Sequence, residues 1–216
     1  MAAIRVLLLA DDLWHPAEVI ERGLSDVSKE ELDIDIVRTA KDIVTADFVR
    51  KYDVLVNCKG DAVNASNSAP WFEEGVTEFG PRAFREYVEA GGGLVVIHSG
   101  LTVHVPEYVD LVGGEFITHP PREEVHYHLT APHPIAEGVE DFTERDEPYQ
   151  IAVTASDARV FMERTSAHGG TCIAGYTREV GKGRIAVLTP GHTLVVWQNP
   201  QFRRLFTQSI RWAMAK

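Results

Sequence analysis

Apolar residues recur along this chain in two rhythms. Ile4 to Ala10, Asp53 to Cys58, Leu94 to Ile97 and Arg184 to Thr189 each centre on an unbroken apolar run. Such runs suit strands covered on both faces. Elsewhere the spacing is helical: Ile20, Leu24 and Val27 after Pro16, then Phe84, Tyr87 and Val88 after Pro81. Near the end, Phe202, Leu205, Phe206, Ser209, Ile210 and Ala213 fall on one helical face. Residues 32–37 alternate, as a strand near a sheet edge does, and Phe48 to Tyr52 reads as a short helix. A short segment, Pro106 to Val112, closes on a Gly113-Gly114 turn. From Glu115 the pattern shifts to short strands at 116–118, 125–130, 146–153, 160–165 and 171–176, with a hairpin turn at 179–183. Residues 62–80 follow neither rhythm and predict a long surface loop. The sum is an α/β fold: a mostly parallel sheet flanked by helices, an antiparallel-rich insert, then a closing strand and helix. No repeat or linker divides the chain, which predicts one domain over residues 1–216.

The exits of the apolar strands carry the candidate chemistry. His15 follows the first, Asp61 the third, His98 the fourth and His192 the last. In open parallel sheets ligands bind beyond the carboxyl ends of the strands, so these groups are expected along one edge. Gly91-Gly92-Gly93 stops a helix and enters a strand, with positive φ expected at the three glycines. The strand then runs into His98-Ser99-Gly100, where a glycine two residues after the apex suits a sharp strand-to-helix elbow. Blander roles compete: His15 beside Pro16 as a helix cap, and His98 as a partner for turn backbone groups. His126 and His128 share a strand face and read as surface residues. His119-Pro120 and His133-Pro134 read as turn formers.

Composition narrows the function. With 216 residues, 44% hydrophobic and 25% charged, the chain can bury a core. A net charge of -11 argues against nucleic acid or an anionic membrane as partner. Two cysteines fit a reducing compartment. The apolar run Val6 to Ala10, followed by Asp11-Asp12, is too short for a signal peptide or a membrane span, so a cytoplasmic protein is expected. Cys58 ends a strand and Cys172 begins one, so neither sits where a thiolate nucleophile would. Phosphate-cradling GxxxxGKS and GxGxxG patterns are absent. Nine histidines would suit zinc or another divalent metal, yet no HExxH or CxxC motif appears. A metal would need distant strand ends, such as His15, His98 and His192 with a carboxylate. Sequence spacing leaves that question open.

Several blocks together resemble the trehalose-utilisation (ThuA-like) family. They are Tyr87 to Gly100, Gly113 to Pro120, His133 to Val139, Asp146 to Tyr149, and Gly181 to Arg184 continuing through Gly191-His192 to Trp197, Pro200, Phe202 and Trp212. The resemblance implies a flavodoxin-like fold of the class I glutamine amidotransferase kind, in which a cysteine occupies the elbow and a histidine follows the late strand. His98 stands at the cysteine's position and His192 at the histidine's, which removes glutaminase chemistry. It also implies use of trehalose or related disaccharides through keto-sugars. On this reading His98, His192 and Glu147 are catalytic, moving protons at a sugar hydroxyl or beside a keto group. His15, Asp61, Trp14, Ser99 and Tyr149 bind substrate, and Trp71 adds a further aromatic face. The expected partner is a small molecule, a sugar, and a homo-oligomer is compatible with the pattern. The alternative is a non-catalytic sugar-binding or regulatory protein on a degenerate amidotransferase-like fold.

Overall fold

The computed structural model describes residues 2–38, 45–61 and 81–214. The loop expected over residues 62–80, with Trp71, lies outside them. The described elements are β1 (Ile4–Leu9), α1 (Ala17–Gly23), β2 (Leu32–Val37), α2 (Ala46–Val49), β3 (Val54–Asn57), α3 (Pro81–Glu89), β4 (Gly93–Ile97), α4 (Pro106–Val112), β5 (Gly114–Thr118), β6 (Glu123–Leu129), β7 (Phe142–Asp146), β8 (Gln150–Val153), β9 (Arg159–Ser166), β10 (Gly170–Val180), β11 (Gly183–Leu188), α5 (Leu194–Gln198) and α6 (Pro200–Met214). A 3-10 turn, His98–Leu101, follows β4 directly.

A nine-stranded sheet runs in the order β2-β1-β3-β4-β11-β10-β9-β6-β7, while β5 and β8 form a separate pair. The first five strands in that order are parallel, and the remaining pairings are antiparallel. The parallel strands end in near-perfect register: Leu9 lies beside Val37 and Asn57, and Leu188 beside Ile97. Their exits therefore form one rim. Period-two alternation divides the core between the two faces. Val6, Leu8, Val56, Val95 and Ile97 pack with Trp197, Phe202, Phe206 and Ile210 of α5 and α6. Leu7, Leu9, Leu55, Leu94 and Val96 pack with Phe84, Val88, Tyr108 and Leu111 of α3 and α4.

Two local expectations are corrected. The strand expected over 146–153 is two strands in different sheets, because Pro148 has no N–H for a ladder and the chain turns there. Of the three consecutive glycines only Gly91 has positive φ, at 115°. Gly92 and Gly93 are required for space: a Cβ would stand 2.2 Å from the Tyr87 ring or 2.7 Å from the Ala213 backbone, respectively. The expected C-terminal helix is α6, opened by Pro200 and burying Phe202, Leu205, Phe206, Ser209, Ile210 and Ala213, with the short α5 before it.

The antiparallel half matters for the site. β7 lies four places from β11 in the sheet, yet Asp146 at its end hydrogen-bonds Gly191 and His192, just beyond β11. The sheet curls back on itself and brings Glu147 to the rim of the parallel strands.

Candidate active site

Five separate segments meet at this rim. The turn after β1 is fixed by Asp12, whose Oδ1 accepts from the N–H groups of Trp14 and His15, at 2.9 Å each. Its Oδ2 accepts from Gly60 N–H beyond β3 at 2.9 Å, tying two exits together. The same Oδ1 lies 2.7 Å from His15 Nδ1, which turns Nε2 towards the centre.

His98 sits at the apex of the elbow with φ 47°, a left-handed conformation uncommon outside glycine, although His, Asn and Asp adopt it more often than other residues. Gly100 makes this bend feasible, since a Cβ there would stand 2.2 Å from the Asn57 carbonyl oxygen. His98 is almost wholly buried, and its Nδ1 donates to the Thr189 carbonyl at 2.8 Å, so Nε2 carries the lone pair when the ring is neutral. Its ring stacks on Tyr149 with centroids 3.9 Å apart. His192 is set by Asp146, which accepts from its N–H at 3.0 Å and from Gly191 N–H at 2.9 Å. Trp197 Nε1 adds a 2.7 Å bond to the Gly191 carbonyl. The Glu147–Tyr149 connector is held by the buried Arg164, whose guanidinium donates twice to the Tyr149 carbonyl and once each to those of Gly169 and Gly170.

All of this converges on Glu147 Oε2. His192 Nδ1 lies 3.1 Å away, His98 Nε2 3.3 Å and His15 Nε2 3.9 Å. One donor atom from each of the four residues lies within 4.8 Å of every other, a set able to hold a metal ion. Burial alone would raise the Glu147 carboxyl, but the three imidazoles gathered around it hold it far below the usual carboxylate range. Burial pulls His15 down, yet Asp12 and Glu147 outweigh it and push the ring up to about 9. At His98 burial wins, and its pKa is lowered. Cys58 is buried beneath the site, and burial pushes its thiol far up, so it offers no thiolate.

The rim opens into a cavity of about 1390 Å³ among the described residues. Its walls include the expected Trp14, Asp61 and Tyr149, with His15, Glu147 and His192 at its floor. Trp14 is 68% exposed, an indole face open to solvent. Asp61 Oδ2 accepts from His104 N–H at 2.8 Å, further round the wall. Ser99 does not face the cavity. It is buried, and its hydroxyl donates to the Cys58 carbonyl at 2.6 Å, so its position fits a brace for the elbow better than a substrate contact.

Three residues escaped the sequence reading. Asp12 orients His15, and Asp146 orients His192. Adjacent acids, Asp11-Asp12 and Asp146-Glu147, marked both exits, but only one of each pair faces the cluster. The third is His119, read as a turn former beside Pro120. Its Nδ1 does donate to the Pro120 carbonyl at 2.8 Å. That bond leaves Nε2 as the lone-pair atom, 3.6 Å from Glu147 Oε2 on the cavity wall. Phe116 and Tyr149 flank its ring at 5.8 and 5.5 Å.

The sequence profile described as trehalose utilisation, ThuA, matches residues 5–213. A protein described as ThuA-like from Parabacteroides merdae superposes with a TM-score of 0.75 at 19% identity, covering 99% of this chain and 90% of that one. A cytoplasmic protein from Salmonella typhimurium gives 0.67 at 15% identity, covering 97% of this chain and 98% of its own. A GMP synthase component from Thermoplasma acidophilum gives 0.60 at 16%, covering 98% and 94%. At such identities the likeness is one of fold. No curated protein matches the sequence.

Proposed function

This chain belongs to the trehalose-utilisation (ThuA) family, and from that premise we propose that it is an enzyme of carbohydrate use, acting on a disaccharide of the trehalose kind or its keto form. The convergence of His15, His192 and Glu147 at the floor of a large cavity, with His98 buried directly behind them, carries this reading. Sugars need polar groups for their hydroxyls and apolar faces for their C–H surfaces. The cavity supplies the first through Asp61, His119 and the floor, and the second through Trp14, Phe116 and Tyr149.

In this mechanism the reacting end of a keto-sugar rests on the floor, where a hydroxyl beside its carbonyl donates to Glu147 and His192, with His98 buried behind them. His119 Nε2, with its lone pair on the wall, takes the proton from the carbon beside the carbonyl, and the electron pair of that C–H bond forms an enolate. His119 then returns a proton as product forms. Glutaminase chemistry has no place, because an imidazole stands at the elbow and Cys58 is buried beneath it. Two free cysteines and the cytoplasmic Salmonella neighbour support a cytoplasmic site of action.

A panel of disaccharides and their keto forms, followed by product analysis, tests the proposal. Turnover of at least one sugar is expected, falling ~100-fold or more in both His98→Asn and His119→Gln. Tight sugar binding without turnover would sink the enzyme reading and leave a sugar sensor.

A further inference from the structure

His15 Nε2, His98 Nε2 and His192 Nδ1 are buried, and none has a hydrogen-bond partner. Buried polar atoms seldom go without partners, and three in one place point to a missing occupant. The clearest case is His98, whose side chain is only 2% exposed. With its Nδ1–H on the Thr189 carbonyl, a neutral His98 turns a lone pair on the Glu147 carboxylate 3.3 Å away. Two acceptors face each other there, and the nitrogens of His15, His192 and His119 also lie within 3.9 Å of the same oxygen. One cation at the centre would satisfy Glu147 and the three buried imidazoles.

We propose that His15, His98, His192 and Glu147 bind one divalent first-row transition ion of the zinc type. Three imidazole nitrogens and one carboxylate oxygen are a donor set such ions favour. Around a small ion with bonds of roughly 2.0–2.2 Å, neighbouring donors lie ~3–3.5 Å apart. Two of the three separations from Glu147 Oε2, 3.1 and 3.3 Å, fall in that range, and the third is 3.9 Å. The outer contacts also fit. Asp12 on His15 Nδ1 and the Thr189 carbonyl on His98 Nδ1 are the partners that orient ligating histidines. His119 is more exposed and stands outside the four, which leaves its Nε2 for substrate.

This inference shares its site with the proposed sugar chemistry and rests on that reading only for what the ion would serve. Occupancy is measured without any sugar. The purified full-length chain would be stripped with chelator, dialysed against Zn²⁺ or Co²⁺, and analysed by mass spectrometry of metals and by visible absorption of the Co²⁺ form. One ion per chain is expected, with affinity falling ~100-fold or more in His98→Asn and in Glu147→Gln, and unchanged stoichiometry in His119→Gln. Substoichiometric metal in folded wild-type protein would overturn the proposal. So would wild-type affinity in both His98→Asn and Glu147→Gln, which would place the ion elsewhere. One bound ion with no sugar turned over would uphold the centre while sinking the carbohydrate reading; sugar turned over by protein that takes up no ion on reconstitution would do the reverse.

Discussion

Asp146 and His192 are joined across the curled sheet by a 3.0 Å hydrogen bond from the histidine's backbone N–H to the aspartate's Oδ1. The carboxylate is fully buried and also accepts from Gly191 N–H and the Tyr127 hydroxyl, each at 2.9 Å. Asp146→Ala leaves three buried donors without an acceptor and should cost ~2–4 kcal/mol, read as a lower urea midpoint. Tyr127→Phe removes one donor only and should cost ~1 kcal/mol, with the His192 site intact.

Position 98 gives a second test, through the backbone. At φ 47° a β-branched residue is strained, whereas asparagine tolerates the left-handed region. His98→Val should unfold at lower urea than His98→Asn, by ~1–2 kcal/mol, although both lose the same imidazole. Equal stabilities would mean that the elbow relaxes in one of them. Incubation of wild-type protein with glutamine should release no ammonia, since no accessible thiol stands at the apex.

His15 makes stripped protein sensitive to alkali. Its folded pKa, about 9, lies above the unfolded value near 6.5. The Asp12–His15–Glu147 contacts therefore contribute fully below pH 6.5, and that contribution is lost as pH rises through 9. Denaturant midpoints of chelator-treated protein should fall between pH 6.5 and 9.5, and His15→Gln should flatten the slope.

Arg164 offers a test of how Glu147 is placed. Its guanidinium is buried and, among the described residues, hydrogen-bonds backbone carbonyls alone, those of Tyr149, Gly169 and Gly170. A lysine keeps the charge but not the planar fork. Arg164→Lys should lose ~2 kcal/mol or more of stability and weaken the Tyr149 stack on His98, seen as a shifted imidazole resonance in NMR spectra. An unchanged midpoint would mean that the connector holds itself.

Much of this architecture is legible in the chain. Strands buried on both faces leave unbroken apolar runs, and β1, β3, β4 and β11 stand out for that reason. Their shared direction puts His15, His98 and His192 on one rim. What fails to show is long-range. Nothing local announces that β7 curls back to β11, so Asp146 looks no different from Glu147 beside it. His119 does bond to its own turn, as its place beside Pro120 suggests, but the role of its other ring nitrogen depends on the β5–β8 pair. Ser99 errs in the opposite direction: adjacency to His98 suggests the cavity, while the 3-10 turn points its hydroxyl back to Cys58.

The four groups around Glu147 Oε2 come from residues 15, 98, 147 and 192, each at the end of a different strand unit. An unfolded chain has no short stretch that could gather them, so it offers no local chelate. Whatever binds at that centre thus binds the native form alone, and every tenfold rise in its concentration above Kd adds ~1.4 kcal/mol to stability. The site is in that sense a keystone: occupancy would be felt by the whole cooperative unit rather than by the rim that makes the contacts.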